Sequence, residues 1–358
     1  MEMFKRRIRI NFGYTTFVWT SEARGRAHVH CVIIGFAMHD AERKLLFEEE
    51  GGKFIVKEAR NINPYLIDAP DALIVNRTLP LCSSPEIGIG NKPIDGGNYL
   101  FTEEEKEEFL KLEPAAAEYF RKWLGADEFI NGWNRWCLWL GDCPPDVLRR
   151  MPECLKRVEA VRRLRQESKS APTRNLADTP TRFHVENMPS KRFLVIPRVS
   201  SERRVYIPMD FINPETIVGD HCQIVRDATL YHFGVLTSAM HMDWTRRVCG
   251  RLESRYRYSA KLVYNNFPWP EAVSDAKRRR VEEKAQAVLD ARATYPKSSL
   301  ADLYDPAAMP AVLVKAHREL DRAVDRCYRA APFTTDKERL EFLLERYEEL
   351  TRIFHGVS

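Results

Sequence analysis

Two arginine-rich stretches hold the residues with the most to offer chemically. The first is Pro197-Arg198-Val199-Ser200-Ser201-Glu202-Arg203-Arg204, and the second is Arg251-Leu252-Glu253-Ser254-Arg255-Tyr256-Arg257-Tyr258. A guanidinium is a planar fork of donors that grips two acceptors at once, which suits phosphate oxygens and the exposed edge of guanine. Tyr206, Tyr256 and Tyr258 alternate with these arginines, while Ser200, Ser201, Ser254 and Ser259 add hydroxyls able to meet phosphates. Read as strand or turn material, the two stretches predict a nucleic-acid surface. The competing reading is a charged face that meets only water.

A third basic segment runs from Arg149 to Arg165, with seven basic residues (Arg149, Arg150, Lys156, Arg157, Arg162, Arg163, Arg165) against Glu153 and Glu159. Leu148, Met151, Leu155, Val158, Val161 and Leu164 recur at steps of three and four, so the spacing predicts an amphipathic helix whose opposite face is basic. Such a helix can lie along a phosphate backbone or simply be solvated. The whole chain is close to balanced, with 56 Lys and Arg against 51 Asp and Glu for a net charge of +5. Distribution therefore matters more than the total.

Other chemistries find little support. The eight cysteines (31, 82, 137, 143, 154, 222, 249 and 327) show no CxxC pairing, which argues against structural zinc, and scattered thiols suit a reducing cytoplasm. His28 and His30 lie two apart but have no third ligand at a suitable spacing. Asp68 and Asp71 flank a turn and are expected to cap it rather than hold a divalent metal. Asn265-Asn266-Phe267-Pro268-Trp269-Pro270 imitates the Asn-Pro-Pro-aromatic turn of amino-methylating enzymes, but tryptophan separates its prolines, and no glycine-rich cofactor loop is present. The expected role of that segment is a rigid junction. No signal sequence and no apolar run long enough to span a membrane appears.

A length of 358 residues predicts two or three domains. Residues 1 to about 40 read as strands: Ile8 to Phe12, Thr16 to Trp19, and the apolar run Val29 to Phe36, which suits a strand buried on both faces. A strand of that kind with so little sequence before it suggests a piece of a larger protein. Strands, turns and helices mix from about 50 to 267. Thr102-Glu103-Glu104-Glu105 opens a helix there, and the tryptophans of Gly132 to Leu140 are expected in the core. Residues 165–185 read as a mobile loop or linker. Beyond Pro270 three amphipathic helices are expected, marked by Val281 to Leu289, Leu313 to Cys327 and Leu340 to Phe354.

Trp19-Thr20-Ser21-Glu22-Ala23-Arg24-Gly25, Val29 to Phe36, Ile62-Asn63-Pro64-Tyr65-Leu66, Gly90-Asn91-Lys92-Pro93, Asp95-Gly96-Gly97, Val199 to Arg204 and Val263 to Pro270 resemble the MmeI-like type II restriction–modification enzymes, from the first residues to the end. Members of that family join nuclease, adenine-N6 methyltransferase and target-recognition regions in one polypeptide. The resemblance implies an α+β chain: terminal strands of a Rossmann-like methyltransferase sheet in residues 1–45, a mixed α/β target-recognition domain in 50–267, and a small helical bundle in 268–358. It also implies base reading by Glu253 with Arg255, by Arg198 with Asp220, and by the neighbouring His221 and Arg257. Ser200, Ser201, Arg203, Arg204, Arg162 and Arg163 are the expected contacts to the DNA backbone.

The expected function is sequence-specific duplex reading within a site-specific DNA methyltransferase and restriction enzyme. S-adenosylmethionine, and Mg²⁺ for cleavage, are implied for the full-length enzyme, and the upstream methyltransferase and nuclease regions are its expected partners. This chain should hold neither cofactor nor catalytic residue and should be inactive alone. The alternative is a free-standing specificity subunit that recruits a separate catalytic chain, distinguishable by whether the reading frame continues upstream of Met1 with those missing motifs.

Overall fold

The structure is a computed structural model that describes residue 6 and residues 8–19, 29–50 and 52–355. Thr20 to Gly25 of the resemblance, and His28 of the histidine pair, lie outside the described residues. The chain forms two compact units, each gathered from separated stretches. One contains the described residues up to Ser84, Ala239–Val273, and those from Val324 onward; the other contains Pro85–Ser238 and Ser274–Ala323.

In the first unit, β1 (Arg9–Trp19), β2 (Val29–Ala37), β3 (Lys44–Glu50) and β4 (Lys53–Ala59) form a sheet in the order β2-β1-β3-β4. β1 is antiparallel to β2 and parallel to β3. The sequence pattern suggests two strands before residue 20, yet Arg9–Trp19 is continuous. Register shifts between Ile10 and Phe12 and between Tyr14 and Phe17 absorb its broken alternation.

The Val29 to Phe36 run is not doubly buried: β2 is an edge strand, and Val32, Ile33, Ile34 and Phe36 are 40–54% exposed. Val32, Ile33, Ile34 and Phe36 are only partly covered by the described residues, so apolarity alone misled as to burial. Ile10, Leu46, Ala59, Ile62 and Leu66 make the small core of this sheet. The aspartates beside it tie the loop back rather than cap the turn they flank: Asp68 Oδ1 accepts from the Arg60 and Asn61 amides, both at 3.0 Å, and Asp71 accepts from Asn61 Nδ2 at 3.0 Å and pairs with Arg9 at 3.2 Å.

Asn265 to Trp269 is buried in this unit. Asn266 Nδ2 donates to the carbonyls of Val75, Lys261 and Leu262, and Asn265 Nδ2 to that of Arg77, so these amides clamp backbone rather than substrate. Helix Asp336–His355 buries Leu340, Leu343, Leu344 and Tyr347 and packs on helix Ala239–Val248.

The second unit holds two sheets. One contains β5 (Ile87–Ile89), and the other contains β6 (Leu100–Phe101), β7 (Phe120–Leu124) and β8 (Trp136–Leu138). Later in the chain β9 (Phe193–Pro197), β10 (Asp210–Ile212), β11 (Thr216–Val218) and β12 (Cys222–Val225) complete them, in the orders β10-β9-β12-β5 and β11-β7-β8-β6. Thr102 caps helix Glu103–Leu112 through a reciprocal box with Glu105, as its sequence predicts. Helix Asp275–Ala293 packs on helix Leu230–Leu236, where a Cβ on Gly234 would come within 2.7 Å of Val281; only glycine permits that approach. No helix among the described residues is long and apolar enough to cross a membrane.

The expected basic helix is Pro152–Gln166, but its sides differ from the periodicity reading. Leu155 and Leu164 face solvent, whereas Arg165 is 0% exposed. Its five donor hydrogens are all matched by carbonyls: Nε to Ile94, Nη1 to Leu176 and Thr179, Nη2 to Pro93 and Arg182. The 165–185 stretch is accordingly built into the unit rather than a linker, with helix Ala171–Asn175 and buried Ala177 and Phe183. Of the three tryptophans, Trp139 is in the core, Trp136 is half-buried with its Nε1 donating to Glu103, and Trp133 is 62% exposed. Core packing therefore accounts for two of them.

Candidate nucleic-acid interface

The second arginine stretch folds as a hairpin in the first unit, with β13 (Gly250–Leu252) antiparallel to β14 (Arg255–Arg257). Alternation along β14 sends Arg255 and Arg257 to the exposed face and Tyr256 to the buried one. Tyr258 follows, also buried, its hydroxyl 2.9 Å from His241 Nε2. Burial pulls the His241 pKa down to about 3, so this anchor is an uncharged pair. The tyrosines thus hold the hairpin down rather than stack on bases. Tyr206 is buried too, bonded to Asp321 and stacked on His317 in the second unit.

Glu253 is not in an extended strand with Arg255, as their two-residue spacing suggests. Glu253 and Ser254 form the connection between β13 and β14, and Glu253 has φ 57. Its carboxylate reaches around the turn to accept from Arg255 Nη2 at 2.9 Å, both side chains being exposed. In water such a pair adds little to stability. Its use is to aim a guanidinium.

In the second unit the sheet end after β9 brings Arg198, Asp220 and His221 together. Arg198 N donates to the His221 carbonyl at 3.0 Å and Arg198 Nη1 to the Asp220 carbonyl at 2.6 Å. The sequence pairing of Arg198 with Asp220 is met here through main chain. The arginine is pinned by a neutral acceptor, so its charge is not cancelled at that contact. Gly219 makes the corner possible, because a Cβ there would lie 2.5 Å from the Trp123 ring. His221 is exposed.

The expected backbone contacts differ in access. Arg203 and Arg163 are exposed, Arg162 is half-exposed and paired with Glu159 at 2.9 Å, and Ser201 Oγ accepts from the Arg203 amide. Arg204 is half-buried, and burial lowers its pKa. Ser200 is only 2% exposed, which takes its hydroxyl away from any surface a phosphate could reach.

Arg226 escaped the sequence reading, and so did the partners of Arg251. Arg226, exposed just after β12, gives Nε and Nη2 to Asn187 Oδ1 at 3.0 and 2.6 Å, and buried Asn91 fixes Asn187 in turn. Arg251 folds back on its own hairpin. A carboxamide or carbonyl partner leaves no charge pattern in a sequence, so no signal could have shown how either is held.

Among the described residues no three His, Cys, Asp or Glu side chains gather as a metal site. The sequence has neither the glycine-rich loop nor the Asn-Pro-Pro-aromatic turn with which S-adenosylmethionine chemistry is done.

The family model for the MmeI target recognition domain matches residues 68–271, that for the MmeI C-terminal domain matches 273–355, and that for the MmeI DNA-methyltransferase domain matches 1–48. DNA methyltransferase A of Bacillus subtilis (strain 168) is 40% identical over 351 residues, covering 98% of this chain and 39% of that protein. The solved structure of the type IIL restriction–modification enzyme MmeI in complex with DNA is 44% identical, with a TM-score of 0.91 over 98% of this chain and 47% of that one. The chain spans less than half the length of either.

Proposed function

We propose, from the premise that this chain belongs to the MmeI family, that it reads a short duplex DNA sequence for a site-specific adenine-N6 methyltransferase and restriction enzyme. Residues 1–45 supply the last strands of the methyltransferase sheet, 50–267 the target-recognition domain, and 268–358 the C-terminal helical domain. The exposed apolar side chains of β2 support that assignment, since they suit a strand continued into a larger sheet. Upstream methyltransferase and nuclease regions of the same polypeptide are the partners. There the target adenine is flipped from the stack and methylated from S-adenosylmethionine, which this chain does not hold.

The observation that carries the reading is the hairpin at 250–257, whose Arg255 and Arg257 stand exposed above a buried tyrosine anchor. Arg255 donates to guanine O6 and N7 and Glu253 accepts from cytosine N4 or aims the guanidinium. Arg198 with Asp220, flanked by His221, reads a second position. Arg203, Arg204, Ser201, Arg162 and Arg163 meet phosphates, a role Ser200 is too buried to share.

The test is a charge swap, Glu253→Lys with Arg255→Asp, made in the full enzyme and followed by sequencing of its methylated sites. One position of the methylated motif should change and the rest persist. An unchanged motif from a folded, active variant overturns the assignment. This chain alone, given labelled S-adenosylmethionine and mixed-sequence DNA, should transfer no label above a protein-free control.

A further inference from the structure

We propose that Arg251 is a positioning residue: it braces the turn of the hairpin and so sets the base preference of Arg255. The idea rests on the DNA-reading function above and deepens it.

The Glu253-Ser254 connection is the hairpin's weak point. Two-residue hairpin turns need left-handed backbone, which Asn-Gly and Asp-Gly adopt readily. Glutamate does not, yet Glu253 sits at φ 57. Arg251 supplies what the turn residues lack. Its Nη1 donates to the Ser254 carbonyl at 3.0 Å, across the turn, and its Nη2 to the Arg246 carbonyl at 3.1 Å, in the last turn of helix Ala239–Val248. One guanidinium therefore ties the turn to the helix. Its carbon also lies 4.2 Å from the centre of the Tyr256 ring, which stacks it against the buried side of the hairpin.

The register explains why Arg251 does not itself read bases. Arg251 stands opposite Tyr256, and Leu252 stands opposite Arg255. Directly opposed residues project to one face, so Arg251 shares the tyrosine's side, away from Arg255 and Arg257. Arg251 acts through the turn: while Ser254 is held, Glu253 stays where its carboxylate meets Arg255 Nη2. Loosen the turn, and that guanidinium loses its single aim.

The experiment selects bound sequences from a randomised duplex library with the unchanged chain and with Arg255→Ala, Arg251→Ala and Arg251→Lys, each checked for thermal melting. Arg255→Ala should erase the preference at one position. Both Arg251 variants should weaken that same preference about tenfold, with other positions and the salt dependence unchanged, because lysine has one nitrogen where arginine reaches the two carbonyls with two, Nη1 and Nη2. Arg251→Lys keeps the charge and most of the stem, so it carries the measurement should the alanine variant melt early.

A phosphate-contacting Arg251 would look different. It would lose affinity for all sequences alike, flatten the salt dependence and be rescued by lysine. That pattern overturns the brace, as does an unchanged preference in both Arg251 variants while Arg255→Ala is effective. An unchanged preference in Arg255→Ala overturns the base-reading role itself, and the brace with it.

Discussion

Arg165 and the arginines of the hairpin make opposite use of the same side chain. Arg165 is sealed in the second unit with every donor hydrogen spent on a carbonyl, while Arg255 and Arg257 keep most of theirs facing outward from an anchored ribbon. A guanidinium with all its donors matched organises a loop and has nothing left for a ligand. One held firmly but incompletely matched is ready to recognise something else. Charge density is the same in both places; donor occupancy separates structure from recognition.

That contrast can be broken most forcefully at Arg165. Lysine offers three donors from one point, so Arg165→Lys leaves at least two of the five carbonyls without their donor and should cost about 3 kcal/mol or more of unfolding free energy. Denaturant titration measures it, and the base preference of the folded protein should not move. A loss below about 1 kcal/mol would mean that the loops carbonyl-bonded to Arg165 hold themselves.

The uncharged anchor beneath the hairpin couples stability to pH. With the His241 pKa near 3 in the folded state and 6.5 as the ordinary value, stability is fully present above pH 6.5 and is lost as acid drives the unfolded histidine to bind its proton. The slope reaches about 1.4 kcal/mol per pH unit between those limits. Asp243 opposes it. Burial lifts that carboxyl to about 6, so it adds stability as pH falls from about 6 towards 3.8. The difference between the unchanged chain and His241→Gln across pH 4–7 isolates the histidine, and parallel curves would rule out the linkage.

The smallest effect belongs to surface arginines with no fixed aim. Arg162→Ala with Arg163→Ala should weaken binding of all duplexes alike and make the slope of log affinity against log salt shallower by up to about 2. Loss confined to one sequence would place these side chains with the base readers instead.

Regular patterns were legible in the sequence where burial and period agree: the capped helix after Thr102, and the late helices around Val281, Leu320 and Leu343. The failures share a cause. Period alone ranks Leu164 as core and Arg165 as surface, because it cannot see five carbonyls converging on a guanidinium. Alternation places Tyr256 among the arginines but does not tell which of the two faces is buried. Glu253 looks like strand because its dipeptide carries no turn signal, and the bond from Arg251 across the turn to the Ser254 carbonyl is invisible in the sequence. For the candidate site, the residue types and their strand or turn character were readable, whereas the turn at Glu253 and the partners that aim each side chain were not.

The first unit is also a statement about timing. Its cleft lined by Glu48, Lys57 and Leu66, then Asp243 and Arg247, then Asp336, Lys337 and Leu340 draws on three stretches separated by some two hundred and sixty residues of chain. During synthesis β1–β4 leave the ribosome well before helix Asp336–His355, so this cleft cannot close until the last of its three stretches has been made. A chain interrupted between Val248 and Asp336 would therefore carry helix Ala239–Val248 without the helix that packs on it.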